Sequence, residues 1–151
     1  MPPDIIAAVV NYLRIVMAAQ FGVTSTNQGV WGDKAGQDNY PYAVIQAPSE
    51  NYARSSNDPG TGSKSLYIAD GILNVLIYAY DSALAYSLAR QVVKYLDNDQ
   101  SDGQLNSAMG VVIDMLPLNC AALPSIDETG TMSPVVYRRL ATFNYKQEFY
   151  L

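Results

Sequence analysis

Three places in this chain carry residues whose type and spacing could do chemistry. Asp81 stands where an apolar run, "ILNVLIYAY", meets a helix-like run, "SALAYSLARQVVKYLD". A carboxylate at the end of a strand can act as an acid or base, and it can equally cap the helix that follows. Catalysis would need a second carboxylate, a metal or a base beside it, and no motif supplies one. Capping needs only free N–H groups in the next turn, which Ser82 and Ala83 begin to provide. The segment "DPGTGSKS" at 58–65 has the look of a phosphate loop. That motif requires glycine directly before the lysine and again six positions before it, where this chain has Ser63 and Asp58. A strand-like run follows, where the motif needs a helix N-terminus. The segment "DNDQSDGQLNSA" at 97–108 begins like a calcium loop, with Asp97, Asp99 and Ser101 at ligand positions. Asp102 sits where the turn glycine belongs, and Ala108 where a bidentate Glu belongs. It reads as a solvated acidic loop.

What is missing narrows the chemistry further. The chain has no histidine, which removes Ser-His and Cys-His nucleophiles and the commonest metal ligand. Cys120 stands alone, so neither an internal disulfide nor a cysteine zinc site can form. No enzyme and no cofactor is expected. A net charge of −5 without a basic run speaks against tight binding to a phosphate backbone. The first 22 residues superficially resemble a signal peptide, but Asp4 occupies the start and Arg14 interrupts the apolar stretch. No segment reaches the ~18 uncharged apolar residues of a membrane span. A soluble protein, cytosolic or carried on a particle, is expected.

These residues need elements to position them. At 151 residues one domain is expected, 1–151, with long polar loops at about 22–40 and 49–64. Residues 4–20 form an amphipathic helix with Ile6, Val9, Val10, Leu13, Val16 and Met17 on its stripe, Asp4 at its start and Gly22 past its end. "YPYAVIQAP" supplies a short strand, Tyr42 to Gln46. Leu66 to Tyr80 is strand-like and apolar on both faces, so it should be covered on both sides. Its Asp70-Gly71 reads as a bulge or bend rather than a hairpin turn. A second helix at 82–97 has Leu84, Leu88, Val92, Tyr95 and Leu96 on its stripe. A strand follows around Gly110 to Met115, then a loop, "LPSIDETGTMSP". The last strand alternates Tyr137, Ala141, Phe143, Tyr145 and Phe149 against Arg138, Thr142, Asn144, Lys146 and Glu148, with Leu140 out of step. The natural packing is α+β: a mixed, mainly antiparallel sheet of about four to five strands with two main helices on one face.

Charged residues make up only 15% of the chain, and tyrosine is used 12 times against three Phe and one Trp. Charge-poor, tyrosine-rich surfaces suit subunit contacts, so a homo-oligomer is expected. Arg138 and Arg139 are adjacent and must point to opposite faces of their strand. Each can lay its stem over apolar surface, or pair with an acidic loop of a neighbouring subunit.

The order of these segments resembles a known family. An amphipathic helix, a variable loop, "YPYAVIQAP", a long Ser/Gly loop, "GILNVLIYAYD", the helix "SALAYSLARQVVKYLD" and a closing "LATFNYKQEFY" are similar to the tail terminator, or tail completion, proteins of long-tailed bacteriophages. The resemblance runs from about Asp4 to Tyr150 and rests on element order, without a catalytic signature. It implies a hexameric ring in the virion, assembled in the host cytoplasm. That ring would cap the head-proximal end of the tail tube, meet the head connector or stopper, and let DNA through without sequence-specific binding. Contact residues are then expected in the two loops and on the exposed strand face: Trp31, Tyr40, Tyr52, Arg54, Lys64, Tyr78 and Tyr80. The competing expectations are another neck or tail component (adaptor, stopper or tube subunit) and a small ligand-binding or enzymatic α/β domain. If Asp81 is a cap, Asp81→Ala should lower stability by ~1 kcal/mol in a denaturant titration. An unchanged midpoint would return the residue to the list of chemical candidates.

Overall fold

The computed structural model describes residues 4–33, 39–57, 65–97, 113–126 and 135–150. The elements run α1 (Ile5–Val16), β1 (Val30–Gly32), β2 (Tyr42–Asn57), β3 (Ser65–Ala79), α2 (Ser82–Leu96), β4 (Ile113–Ile126) and β5 (Val136–Tyr150). The five strands form one sheet in the order β1-β2-β3-β5-β4. Only β1 and β2 are parallel; every other pair is antiparallel. This is the expected α+β fold, a mixed sheet with two helices.

Both helices start as the sequence implies. Asp4 accepts from the Ile6 N–H at 2.9 Å and Asp81 from the Ala83 N–H at 2.9 Å. Each carboxylate thereby satisfies a first-turn donor that has no partner inside the helix. Past α1 the chain keeps turning until Gly22, whose φ of +62° lets the Val23 N–H reach the Ala18 carbonyl at 2.8 Å. That left-handed closure is the reason for a glycine there.

The buried face of α1 is Ile5, Val9, Val10, Tyr12, Leu13 and Met17, and that of α2 is Ala85, Leu88, Ala89, Val92 and Leu96. Against them lie Ala43 and Ile45 of β2, Leu73, Val75 and Ile77 of β3, Met115 of β4, and Ala141, Phe143 and Tyr145 of β5. The α2 seam differs from the expected stripe at its first position. Leu84 is 39% exposed and Ala85 is buried instead. Ala85 and Ala89 stand one turn apart, and two small side chains let the helix lie close to the sheet, which a ranking by hydrophobicity does not anticipate.

Strand lengths are the main correction. β2 continues to Asn57, so residues 49–57 are paired strand rather than loop. β4 runs to Ile126, well past the short strand expected around Met115. Residues 30–32 of the expected 22–40 loop form β1, held to α1 by Arg14, which donates from Nε and Nη2 to the Val30 carbonyl at 2.9 and 2.6 Å. On β2 polar residues led to the error: residues 49–57 lie beyond the pairing with β1, and a strand that is exposed at an edge needs no apolar alternation, so its sequence looks like a loop.

β3 and β5 pair without a break from Leu66↔Tyr150 to Ala79↔Tyr137. The irregularities fall on the flanking strands, each giving the outer strand one extra residue: Gln46/Ser49 and Arg54/Ser56 on β2, Pro117/Asn119 and Leu123/Ile126 on β4. Pro48 and Pro124 lie inside two of these bulges and Pro117 begins a third, places where a missing N–H interrupts no ladder.

Asp70-Gly71 therefore lies in one long strand, as expected, and is neither a hairpin turn nor a bulge or bend of β3. Gly71 pairs with Tyr145, and a Cβ on it would stand 2.5 Å from Cζ and Oη of that ring. The glycine leaves room for an aromatic ring laid across the neighbouring strand. Tyr145 is fully buried, and its hydroxyl donates to the Glu50 carboxylate. Burial first, and the Glu50 carboxylate second, push its phenol well above the ordinary value. A phenol raised in the folded state contributes stability that is fully present below the unfolded value of about 10 and is lost as pH rises beyond it.

Gly71→Ala should cost roughly 1–3 kcal/mol in equilibrium unfolding, because the added methyl meets a buried ring that is already anchored. A neutral substitution would show that the Tyr145 ring can swing away. Tyr145→Phe should be less stable than the parent at pH 7, with the difference shrinking above about pH 10. A gap that stays constant into the alkaline range would assign the loss to something other than this proton.

Candidate assembly surfaces

The sheet has two unlike faces. Helices cover one; among the described residues no helix lies on the other. Across that second face runs a row in register, Trp31, Val44, Leu76, Leu140 and Ala121, one residue from each strand. Leu140, out of step with the apolar side of its own strand, belongs to this row. Val44 is buried, whereas Trp31, Leu76, Leu140 and Ala121 are half-buried. The expectation that β3 is covered on both sides is met on the helix face only; on the other, side chains of neighbouring strands shield one another partly.

Beside this row stands a chain of tyrosine rings. Tyr42 and Tyr78, partners across β2 and β3, stack with centroids 4.7 Å apart and planes 17° apart. Tyr40 links them to Tyr80, with centroids 5.0 Å from Tyr42 and 4.3 Å from Tyr80. Burial falls along the series from Tyr42, 8% exposed, to Tyr80, 50% exposed. The structure thus brings together three residues singled out from sequence, Tyr40, Tyr78 and Tyr80, and adds Tyr42. Alternation in "YPYAV" and "YAYD" is the signal that could have paired them.

A second aromatic group lies toward the other end of β3. Tyr67 and Phe149 stack at 5.7 Å, and Tyr52 meets Phe149 edge-on at 6.0 Å. Tyr52 is 64% exposed. Glu50, which receives the Tyr145 proton donor, also bonds the Tyr52 phenol and raises it. Arg54 is exposed two residues further along β2, on the same side of the sheet as Tyr52. Lys64 lies outside the described residues, as do 58–63 and 98–108, where the phosphate-loop and calcium-loop patterns fell.

The two adjacent arginines do separate to opposite faces. Arg138 lies on the second face across from Tyr78 and donates from Nε and Nη2 to the Pro124 carbonyl at 3.1 and 3.0 Å. It thereby satisfies an acceptor at a bulge of β4. Arg139 lies on the helix face, its guanidinium 4.8 Å from the centre of the Tyr86 ring. Arg90 approaches the same ring at 5.3 Å and donates to the Tyr86 hydroxyl at 2.7 Å. Sequence reading missed Tyr86 and Arg90, although their i, i+4 spacing on a helix was available as a signal.

None of this geometry resembles an acid–base or nucleophilic centre. Among the described residues no three acidic or sulfur side chains gather where they could hold a metal. What the surfaces offer are aromatic rings and guanidinium groups, half-buried and mutually oriented, which are the side chains that anchor protein contacts.

No family model matches the chain. No curated protein matches it either. Among solved structures, the fold is similar to a chain from the "Virion of native gene transfer agent (GTA) particle". The match is 18% identical, covers 96% of this chain and 95% of that one, and has a TM-score of 0.51. At that identity the likeness concerns the fold.

Proposed function

We propose that this protein is a structural component of a virion, without catalytic activity, and that it forms the ring terminating a phage-like tail. The observation that carries the reading is the end-to-end likeness of fold to a chain of a gene transfer agent virion. The order of elements, which resembles tail terminators, supports it independently. So do the rings and guanidinium groups left half-buried on the surface of a subunit with few charges. In this reading copies of the chain close into a hexamer that caps the head-proximal end of the tail tube and presents its other side to the head connector or stopper. An acidic subunit lets DNA through the lumen without holding it. Trp31, Tyr40, Tyr52, Arg54, Lys64, Tyr78, Tyr80, Arg138 and Arg139 are the proposed contact residues, joined now by Tyr42, Tyr67 and Tyr86. The particle would be put together in the host cytoplasm.

A closely allied reading is another neck or tail part: an adaptor, a stopper or a tube subunit. Light scattering of the purified chain, alone and mixed with purified tail tubes, separates them. A terminator gives a discrete ring mass and binds one end of each tube. A chain that polymerises into tubes by itself is a tube subunit, and one that binds only the connector is an adaptor or stopper. A strict monomer that neither binds nor caps tubes overturns the assembly reading altogether.

A further inference from the structure

Two guanidinium groups converge on the single ring of Tyr86, Arg139 at 4.8 Å and Arg90 at 5.3 Å. The ring is 42% exposed, so this is surface, open to a partner. Neither arginine has a carboxylate partner among the described residues. Two like charges held beside one ring repel each other, and the ring's negative face offsets that by only about 0.5–1 kcal/mol per cation at an exposed site. A carboxylate placed between them would accept charge-assisted hydrogen bonds from both. Tyr137 lies two residues before Arg139, on the same face of β5, and is more than a third exposed. A cationic, aromatic patch on a chain of net charge −5 selects an acidic partner.

The chain carries such a partner in its own sequence. Asp97, Asp99 and Asp102 fall within six residues directly after α2. Tyr86 stands near the start of that helix and Asp97 closes its end, about 16 Å away at the helical rise of 1.5 Å per residue. Tyr86 and Asp97, the first residue of the acidic stretch, thus stand toward opposite ends of one helix. Such a pair is suited to a head-to-tail contact, in which one surface of a copy meets a different surface of the next, and which closes into a ring when the rotation permits. We infer that the Tyr86–Arg90–Arg139 patch receives the acidic stretch 97–102 of a second copy of this chain. This contact rests on the ring proposed above and supplies its subunit-to-subunit recognition.

Charge reversal tests it. The variants are Arg90→Glu/Arg139→Glu, Asp99→Lys/Asp102→Lys, and a chain carrying all four changes, with circular dichroism to verify the fold. Arg90→Gln/Arg139→Gln is a milder substitute should the first variant fail to fold. Light scattering over a concentration series should show each reversal weakening association at least tenfold, about 1.4 kcal/mol, and the four-fold variant recovering it. Raised salt should weaken the parent's association in the same direction. A parent ring that survives both reversals overturns this contact and leaves the ring standing. A parent that is monomeric at every concentration, with and without tubes, overturns the ring and this contact together. Loss on the arginine side alone overturns the assignment of the acidic stretch as occupant. So does salt-sensitive binding of duplex DNA that arginine reversal abolishes while the particle mass is unchanged.

Discussion

The unbroken pairing of β3 with β5 is the constraint to which the other elements are fitted. Its rungs never slip, so every side chain on the two strands keeps its face from one end to the other. Leu73, Val75 and Ile77 on one strand and Ala141, Phe143 and Tyr145 on the other can then present a continuous apolar floor to both helices. A one-residue slip that turned β5 over would replace Ala141, Phe143 and Tyr145 in that floor by Leu140, Thr142 and Asn144. At the rung where the floor would otherwise thin out, Gly71 admits the Tyr145 ring and Glu50 of the next strand fixes its hydroxyl. Three strands are locked at a single point by one glycine, one ring and one carboxylate.

Around that pair the irregularity is displaced outward. β2 and β4 absorb the extra residues and prolines as bulges. At the second bulge of β4 the Pro124 carbonyl accepts from the Arg138 guanidinium. The same arrangement decides where aromatic rings go. Tyr40, Tyr42, Tyr78 and Tyr80 gather at one end of β2 and β3, Tyr52, Tyr67 and Phe149 toward the other. The aromatic rings thus form two separated groups, one toward each end of β3.

Much of this was legible in the residues. The two helices, their acidic caps and the alternation of β5 follow from spacing, because a buried face imposes a period. The edge strands were not legible: residues 49–57 are polar because one side meets water, and a polar strand and a loop are written in the same letters. At Gly71 one long strand was expected and is found, but the expected bulge or bend is absent. Asp-Gly marks a turn when the chain reverses, yet here the glycine answers to Tyr145, 74 positions later in sequence, a relation that no local pattern contains. Among candidate surface residues, Tyr40, Tyr78 and Tyr80 came together as one group, whereas Tyr52, Trp31 and Arg139 fell on three other parts of the surface. Tyr86 and Arg90 went unnoticed because a helix face with a ring and a cation looks like ordinary solvated surface until Arg139 arrives from the sheet.

The prolines and bulges of the outer strands carry one more consequence. A sheet whose rims are regular invites further strands, and growth of that kind has no natural stopping point. Here Pro117 and Pro124 lie on β4, an edge of the described sheet, Pro48 lies on β2 beyond its pairing with β1, and bulges interrupt both strands. Irregular rims of this kind discourage strand-by-strand pairing between chains. In the ring proposed above, such rims would let assembly halt at a fixed number of subunits.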